Sequence, residues 1–206
     1  MKQKKTDSTT EEKIKLAARN VFHQKGFAAT RTRDIAEASG INLALLNYYF
    51  HNKATLFELI MTETLAGFFQ NMLLVLNNEN TSLEQKVEEI ASGYIELILK
   101  EPEIPTFIVS EIRNNPKKLL EKFPIKQVMA DSVFFRQHRK AVTEGKITEP
   151  NPLHFLMNLM GLVVFPFIAK PLILGGKGIS NNDFNILMEE RKRKIPVWIK
   201  AIMKAK

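Results

Sequence analysis

Cysteine is absent from the 206 residues. Disulfides, zinc-thiolate sites and thiol nucleophiles are excluded with it, and the absence suits a reducing cytosol. Nowhere do β-branched residues alternate with polar ones over strand length, so the chain reads as all-α. The four histidines show no metal spacing with one another or with carboxylates. Gly175-Gly176-Lys177-Gly178 lacks the spacing and the following Ser or Thr of a phosphate loop, and reads as a turn. No nucleophile–base pair, carboxylate pair or cofactor loop is recognisable, which argues against an enzyme and implies no cofactor. The polar start, MKQKKTDSTTEEK, offers no secretory signal, so the expected location is cytoplasmic. Uninterrupted apolar runs are also missing. The nearest, residues 155–174, contains Asn158, Lys170 and two prolines, whereas a spanning helix needs about 20 mostly apolar residues. A helix covered by another subunit accounts for it better than a membrane does.

What is present is positive charge. Lys and Arg total 30 against 22 Asp and Glu, a net +8 with pI near 9.6, which favours a polyanionic partner. The first 53 residues carry ten Lys or Arg against five acids, so five of the eight excess charges lie in a quarter of the chain. Charge alone fits any polyanion, and a non-specific nucleic-acid or anionic-surface protein is the alternative reading. The 45% hydrophobic content supplies a core for one large domain or two small ones.

Helix signals divide the chain. Ile14, Ala17, Ala18, Val21 and Phe22 form one face of a first helix over 10–25, stopped by Gly26. A second over 33–39 is capped by Thr32 and stopped by Gly40; a third follows Asn42 to about 51. Asn52 caps a fourth to about 76. Ser82 with Gln85 forms a capping box for a helix to 100. A short helix follows to 114, and another from Pro116 to about 145, broken near Pro124. Asn151-Pro152 opens a helix to 170, and Ser180 or Asn182 opens the last, which Pro196 should kink or interrupt. Residues 1–9 are expected as a disordered basic arm and 10–53 as a helix-turn-helix domain. Residues 54–206 are expected as a second, larger helical domain. The basic run 191–194 reads as a solvated face.

Residues 41–50, INLALLNYYF, hold seven large apolar or aromatic side chains in ten positions. On a helix, Leu46 and Phe50 fall together and can face Val21, Phe22, Ile35 and Ala36. Leu43, Ala44, Tyr48 and Tyr49 are then largely surplus to so small a core. Beside basic residues they suit a major groove, where methyls meet thymine and Asn bonds base edges; packing against a fourth helix is the other possibility. Lys53 bears on the choice. A cation in the first turn after Asn52 opposes the helix dipole, unless a phosphate docks there. Thr32 and Arg33 repeat the arrangement one helix earlier.

The stretch LAARNVFHQKGFAATRTRDIAEASGINLALLNYYFHNKATLF resembles the DNA-binding region of the TetR family of transcriptional regulators, over residues 10–58. The resemblance implies phosphate contacts from Thr32, Tyr49 and Lys53. It implies base-edge or sugar contacts from Arg33, Leu43, Ala44, Asn47 and Tyr48. Leu43 and Asn47 depart from the family's commonest residues. It further implies a homodimer through the last two helices and an inverted-repeat operator in double-stranded DNA, bound by a repressor that a small inducer releases. Ligand between the middle helices would tilt the fourth helix. Candidates for the inducer pocket are Tyr94, Phe107, Ile108, Phe134, His138, Phe155, Met160 and Phe165, each able to serve as plain core instead. Their character favours an apolar or aromatic inducer.

Overall fold

A computed structural model describes residues 2–114, 116–117, 121, 132–176 and 178–204, with side chains from residue 9 onward. The helices are α1 (Lys2–Ala29), α2 (Thr32–Ser39), α3 (Leu43–Phe50), α4 (Lys53–Asn77) and α5 (Leu83–Lys100). They continue with α6 (Ile104–Asn114), α7 (Val133–Thr143), α8 (Pro152–Ile168), α9 (Lys170–Gly175) and α10 (Asn181–Met203). Among the described residues there is no strand. The chain divides into two compact units, Met1–Gly67 and Phe68–Lys206.

The first unit buries one face of each of its helices. Ile14, Ala18 and Phe22 of α1 meet a core shared with Ile35 of α2, Leu46 and Phe50 of α3, and Leu56, Ile60 and Met61 of α4. Each such burial contributes roughly 1.5–3 kcal/mol. Phe22 and Phe27 both pack on Phe57, at 5.1 and 4.6 Å between ring centroids. Lys15 adds a polar tie to α4, donating to Glu63 at 3.0 Å, as does Arg19 to Thr64 Oγ1 at 2.6 Å. The first half of α4 therefore belongs to this unit, and the boundary falls at Gly67 within the helix, beyond Lys53 where the helix starts.

Several helix ends lie where local chemistry sets them. Asn42 and Asn52 accept from Leu45 N and Thr55 N at 2.8 and 2.9 Å. Ser82 with Gln85 forms its box, and Ser180 rather than Asn182 caps α10. Gly26 takes φ 72 and ψ 164, a region closed to side chains, and breaks α1 three residues before its end. Other ends differ from expectation. Helix α1 begins at Lys2 instead of 10; Lys2, Gln3, Lys4 and Lys5 favour helix, and no Gly or Pro intervenes before Gly26. The N-cap of α2 is Arg31, not Thr32. Pro196 leaves α10 unbroken, with Ile195 and Ile199 buried on either side of it. Of the expected helix over 116–145, α7 spans Val133–Thr143; residues 118–120 and 122–131, Pro124 among them, lie outside the described residues.

The second unit packs α5, α7, α8 and α10 around Ile90, Ala91, Ile95, Phe134, Phe155, Leu159, Phe184 and Ile195. Lys86, fully buried on α5, donates to Asn78 O, Thr81 O and Thr81 Oγ1 within 2.7 Å, closing the turn after α4. The apolar run 155–174 is split at Ala169 into α8 and the short α9. Among the described residues α4 is long and apolar enough to cross a membrane, but it places Leu56, Ile60, Met61 and Leu65 in the first core and Met72 in the second.

Candidate nucleic-acid interface

The turn between α2 and α3 explains how α3 is presented. Gly40 adopts φ 64, ψ 33, and its N–H donates to Glu37 O at 3.1 Å while Ile41 N–H donates to Ala36 O at 3.0 Å. These two bonds form a Schellman cap, which needs a residue at ease with positive φ. Buried Ser39 donates its hydroxyl to Ile35 O at 2.7 Å, satisfying another terminal carbonyl. Asn42 then starts α3 within two residues of the turn.

Helix α3 has eight residues, about 12 Å at 1.5 Å per residue, comparable to the width of a major groove. Leu46 and Phe50 are buried; Leu43 and Tyr49 are half-buried; Ala44, Leu45, Asn47 and Tyr48 are exposed. Tyr48 is 76% exposed, the decisive value, because the fold gives this ring no burial. Its one ring neighbour on α3 is Tyr49, edge-on at 5.4 Å. A methyl, an amide and a phenol thus share the wet side of one short helix. Leu45 on α3 and Arg31 at the start of α2 are also exposed, and neither was picked from sequence.

At the start of α2, Thr32 is half-buried and Arg33 exposed. Asp34 beside them accepts from Arg31 N at 2.8 Å and pairs with Lys25 at 3.2 Å. These contacts, the backbone bond first, hold its carboxyl below the usual carboxylate value. The carboxylate's charge is thereby largely answered within the unit.

Lys53 has a different environment from the one its position suggested. Its Nζ donates to Phe27 O at 2.7 Å and Thr30 O at 2.8 Å, and lies 4.3 Å from the Phe27 ring centroid. Carbonyls at the end of α1, where a helix is electronegative, compensate a cation at the start of α4. A docked phosphate is not needed to explain the lysine, and one of its N–H groups remains for one. Between α3 and α4, His51 takes φ 59, ψ −50, with Asn52 N–H donating to Phe50 O at 2.6 Å. That is a γ-turn of the strained, positive-φ kind. It lets two helices follow one another with two residues between.

Of the eight pocket candidates, Phe134 and Phe155 lie in the core of the second unit, with Tyr94 and Met160 packed against it. Phe134, His138 and Phe155 come together: Phe155 lies 5.2 Å from Phe134 and 5.8 Å from His138. Tyr94 stacks edge-on with Phe68 at 4.5 Å, and burial pushes its phenol up to about 12. Phe107 is buried, Ile108 and Met160 half-buried. Phe165 is 64% exposed. A cleft of about 620 Å³, with Leu83, Val87, Ile147 and Ile199 among its walls, shares none of the eight. The basic run 191–194 is mostly engaged: Arg191 donates to Leu162 O at 2.6 Å, Lys192 to Glu96 at 3.1 Å, and Lys194 to Glu190 at 2.7 Å.

Residues 14–60 match the family model for bacterial regulatory proteins, tetR family. Over 205 residues, 95% of each chain, the sequence is 23% identical to the Probable HTH-type transcriptional regulator YttP of Bacillus subtilis. The fold is similar to that of a TetR/AcrR-family transcriptional regulator from Thermobifida fusca, with TM-score 0.62 and 17% identity, covering 90% of this chain and 96% of that one. It is also similar to the Bacillus subtilis transcriptional regulator FadR in complex with stearoyl-CoA, with TM-score 0.55 and 16% identity, covering 89% and 96%. At such identities the structural likeness establishes the fold.

Proposed function

We propose that this chain, which belongs to the TetR family of bacterial regulatory proteins, is a ligand-responsive repressor that binds an inverted-repeat operator as a homodimer. The observation that carries the reading is the exposed face of α3, with Ala44, Asn47 and Tyr48 turned to solvent on a short helix set by a Schellman turn. In the proposal Arg33, Leu43, Ala44, Asn47 and Tyr48 meet base edges and sugars. Thr32 and Tyr49 meet phosphate. Lys53 chiefly fixes the α4 start against α1 and offers its remaining N–H to the backbone.

Dimerisation is supported by the second unit. Met157, Phe165 and Ile168 on α8, and Ile186, Leu187, Val197 and Trp198 on α10, are exposed in the single chain. A side chain placed at Gly161 would meet only open space, so a second backbone can approach closely there. An apolar stripe of this extent is what a four-helix interface between two copies would cover. The two recognition helices of such a dimer enter successive major grooves about 34–36 Å apart.

The inducer is a small, apolar or aromatic molecule held in the second unit, and its effect reaches DNA through α4, a helix that belongs to both units. A neighbour of the same fold is solved in complex with stearoyl-CoA, whose acyl chain is apolar although its coenzyme is anionic. Protection footprinting on genomic fragments tests the reading. A discrete, two-fold symmetric footprint is the expected result; uniform protection without a preferred site would replace it with charge-only binding.

A further inference from the structure

Among the described buried polar side chains of the second unit, most have a partner for at least one atom, though Gln137 Oε1 and Arg191 Nε lack one. Lys86 has three acceptors, Arg191 has Leu162 O, and Ser132 caps α7 by accepting from Phe135 N. His138, on α7, has no exposed surface, and neither Nδ1 nor Nε2 has a hydrogen-bond partner. A neutral imidazole carries one donor and one acceptor in either tautomer, so both go unanswered. Leucine or phenylalanine would fill the same apolar space without that cost. The ring's aromatic neighbour is Phe155 at 5.8 Å, and Phe134, one turn earlier on α7, lies 5.2 Å from the same ring.

We propose that His138 is the polar anchor of the effector site, and that the effector is a compact apolar molecule bearing one uncharged hydrogen-bonding oxygen, an alcohol or a ketone. This rests on reading the chain as a ligand-responsive regulator. The class follows from what surrounds the ring. Phe155 and, behind it, Phe134 supply apolar walls. The buried cation of this core, Lys86, has all three donors engaged with Asn78 and Thr81. A carboxylate or phosphate entering here would lose its hydration, and the charges acting on the ring, Glu149 and Arg139, oppose each other and offer no net countercharge. An alcohol answers both imidazole nitrogens in turn, and a ketone answers the donor. Phe155 swings aside to admit the molecule, and the imidazole exchanges an unanswered position for a bonded one.

The test uses the full-length protein with cyclohexanol, cyclohexanone and cyclohexane as probes, read by calorimetric titration and thermal shift. Wild type should bind cyclohexanol and cyclohexanone at least tenfold more tightly than cyclohexane. His138→Phe, which keeps an aromatic ring, should erase that preference while the ligand-free protein melts higher. His138→Gln, which restores a donor and an acceptor, should recover part of it. Equal binding of the three probes by wild type, or an undiminished preference in His138→Phe, overturns the proposal. Duplex binding by the same variants is measured separately. Its loss in every protein would defeat the regulator reading while leaving the ligand result to stand by itself.

Discussion

The Lys53 ammonium donates to the Thr30 carbonyl at 2.8 Å, across 23 positions of sequence, and ties the start of α4 to the end of α1. With the bond to Phe27 O it makes the lysine a brace between the two helices, and in the proposed function any contact with DNA comes second. Lys53→Met should lower stability by about 1.5–3 kcal/mol, the usual worth of a hydrogen bond from a charged group. Affinity should fall alike for all duplexes, and the slope of log affinity against log salt should change by less than the about one unit expected of a full phosphate contact. Unchanged melting with a full-unit change in slope would make it a phosphate contact alone.

Tyr48 and Asn47 offer the converse case. Both are exposed, so Tyr48→Ala and Asn47→Ala should shift stability by no more than about 0.5 kcal/mol. Each should cost about 1–3 kcal/mol of discrimination at the base pair it reads, with little loss on non-cognate DNA. Unaltered sequence preference in both variants would remove α3 from base recognition.

The γ-turn at His51 stores strain, since His51 alone among the described non-glycine residues has positive φ. Such strain is of order 1–3 kcal/mol, partly offset by glycine's extra entropy of about 0.5–1 kcal/mol. His51→Gly should therefore raise the melting temperature by a few degrees. A lower one would mean the imidazole contributes more than its backbone costs.

Stability should depend on pH through His138. Burial holds its imidazole below the ordinary 6.5, so the unfolded chain takes up a proton that the folded chain resists. The contribution is fully present above pH 6.5 and declines as pH falls below it. Denaturation midpoints for wild type and His138→Phe at pH 7.5 and 5 check this: the loss on acidification should be smaller in the variant.

The apolar stripe on α8 and α10 gives a prediction about assembly. Phe165→Glu or Val197→Arg should yield a soluble monomer by light scattering, with little effect on the fold of a single chain, because both side chains are exposed there. A variant that remains dimeric would move the interface elsewhere.

Much of this was legible in sequence wherever the deciding contact is local. Asn42, Asn52 and Ser82 cap helices through bonds to residues three positions ahead, and spacing reveals them. Lys53 was legible as an anomaly, yet its partners, Phe27 and Thr30, are brought to it by the fold. Phe165 and Phe155 look alike in composition, but one is exposed and the other buried, and apolarity does not distinguish a core from an uncovered face. Pro196 was expected to disturb α10; the burial of Ile195 and Ile199 keeps the helix continuous there. His138 stood out only as one of eight, because an unanswered imidazole is a property of three-dimensional packing.

Selecting bound duplexes from a random pool measures the account's core most directly. An α3 face held clear of the protein and repeated by two-fold symmetry should enrich an inverted repeat, with half-sites about 10–10.5 base pairs apart or a multiple of that. Enrichment of no motif, at an affinity set only by salt, would contradict it.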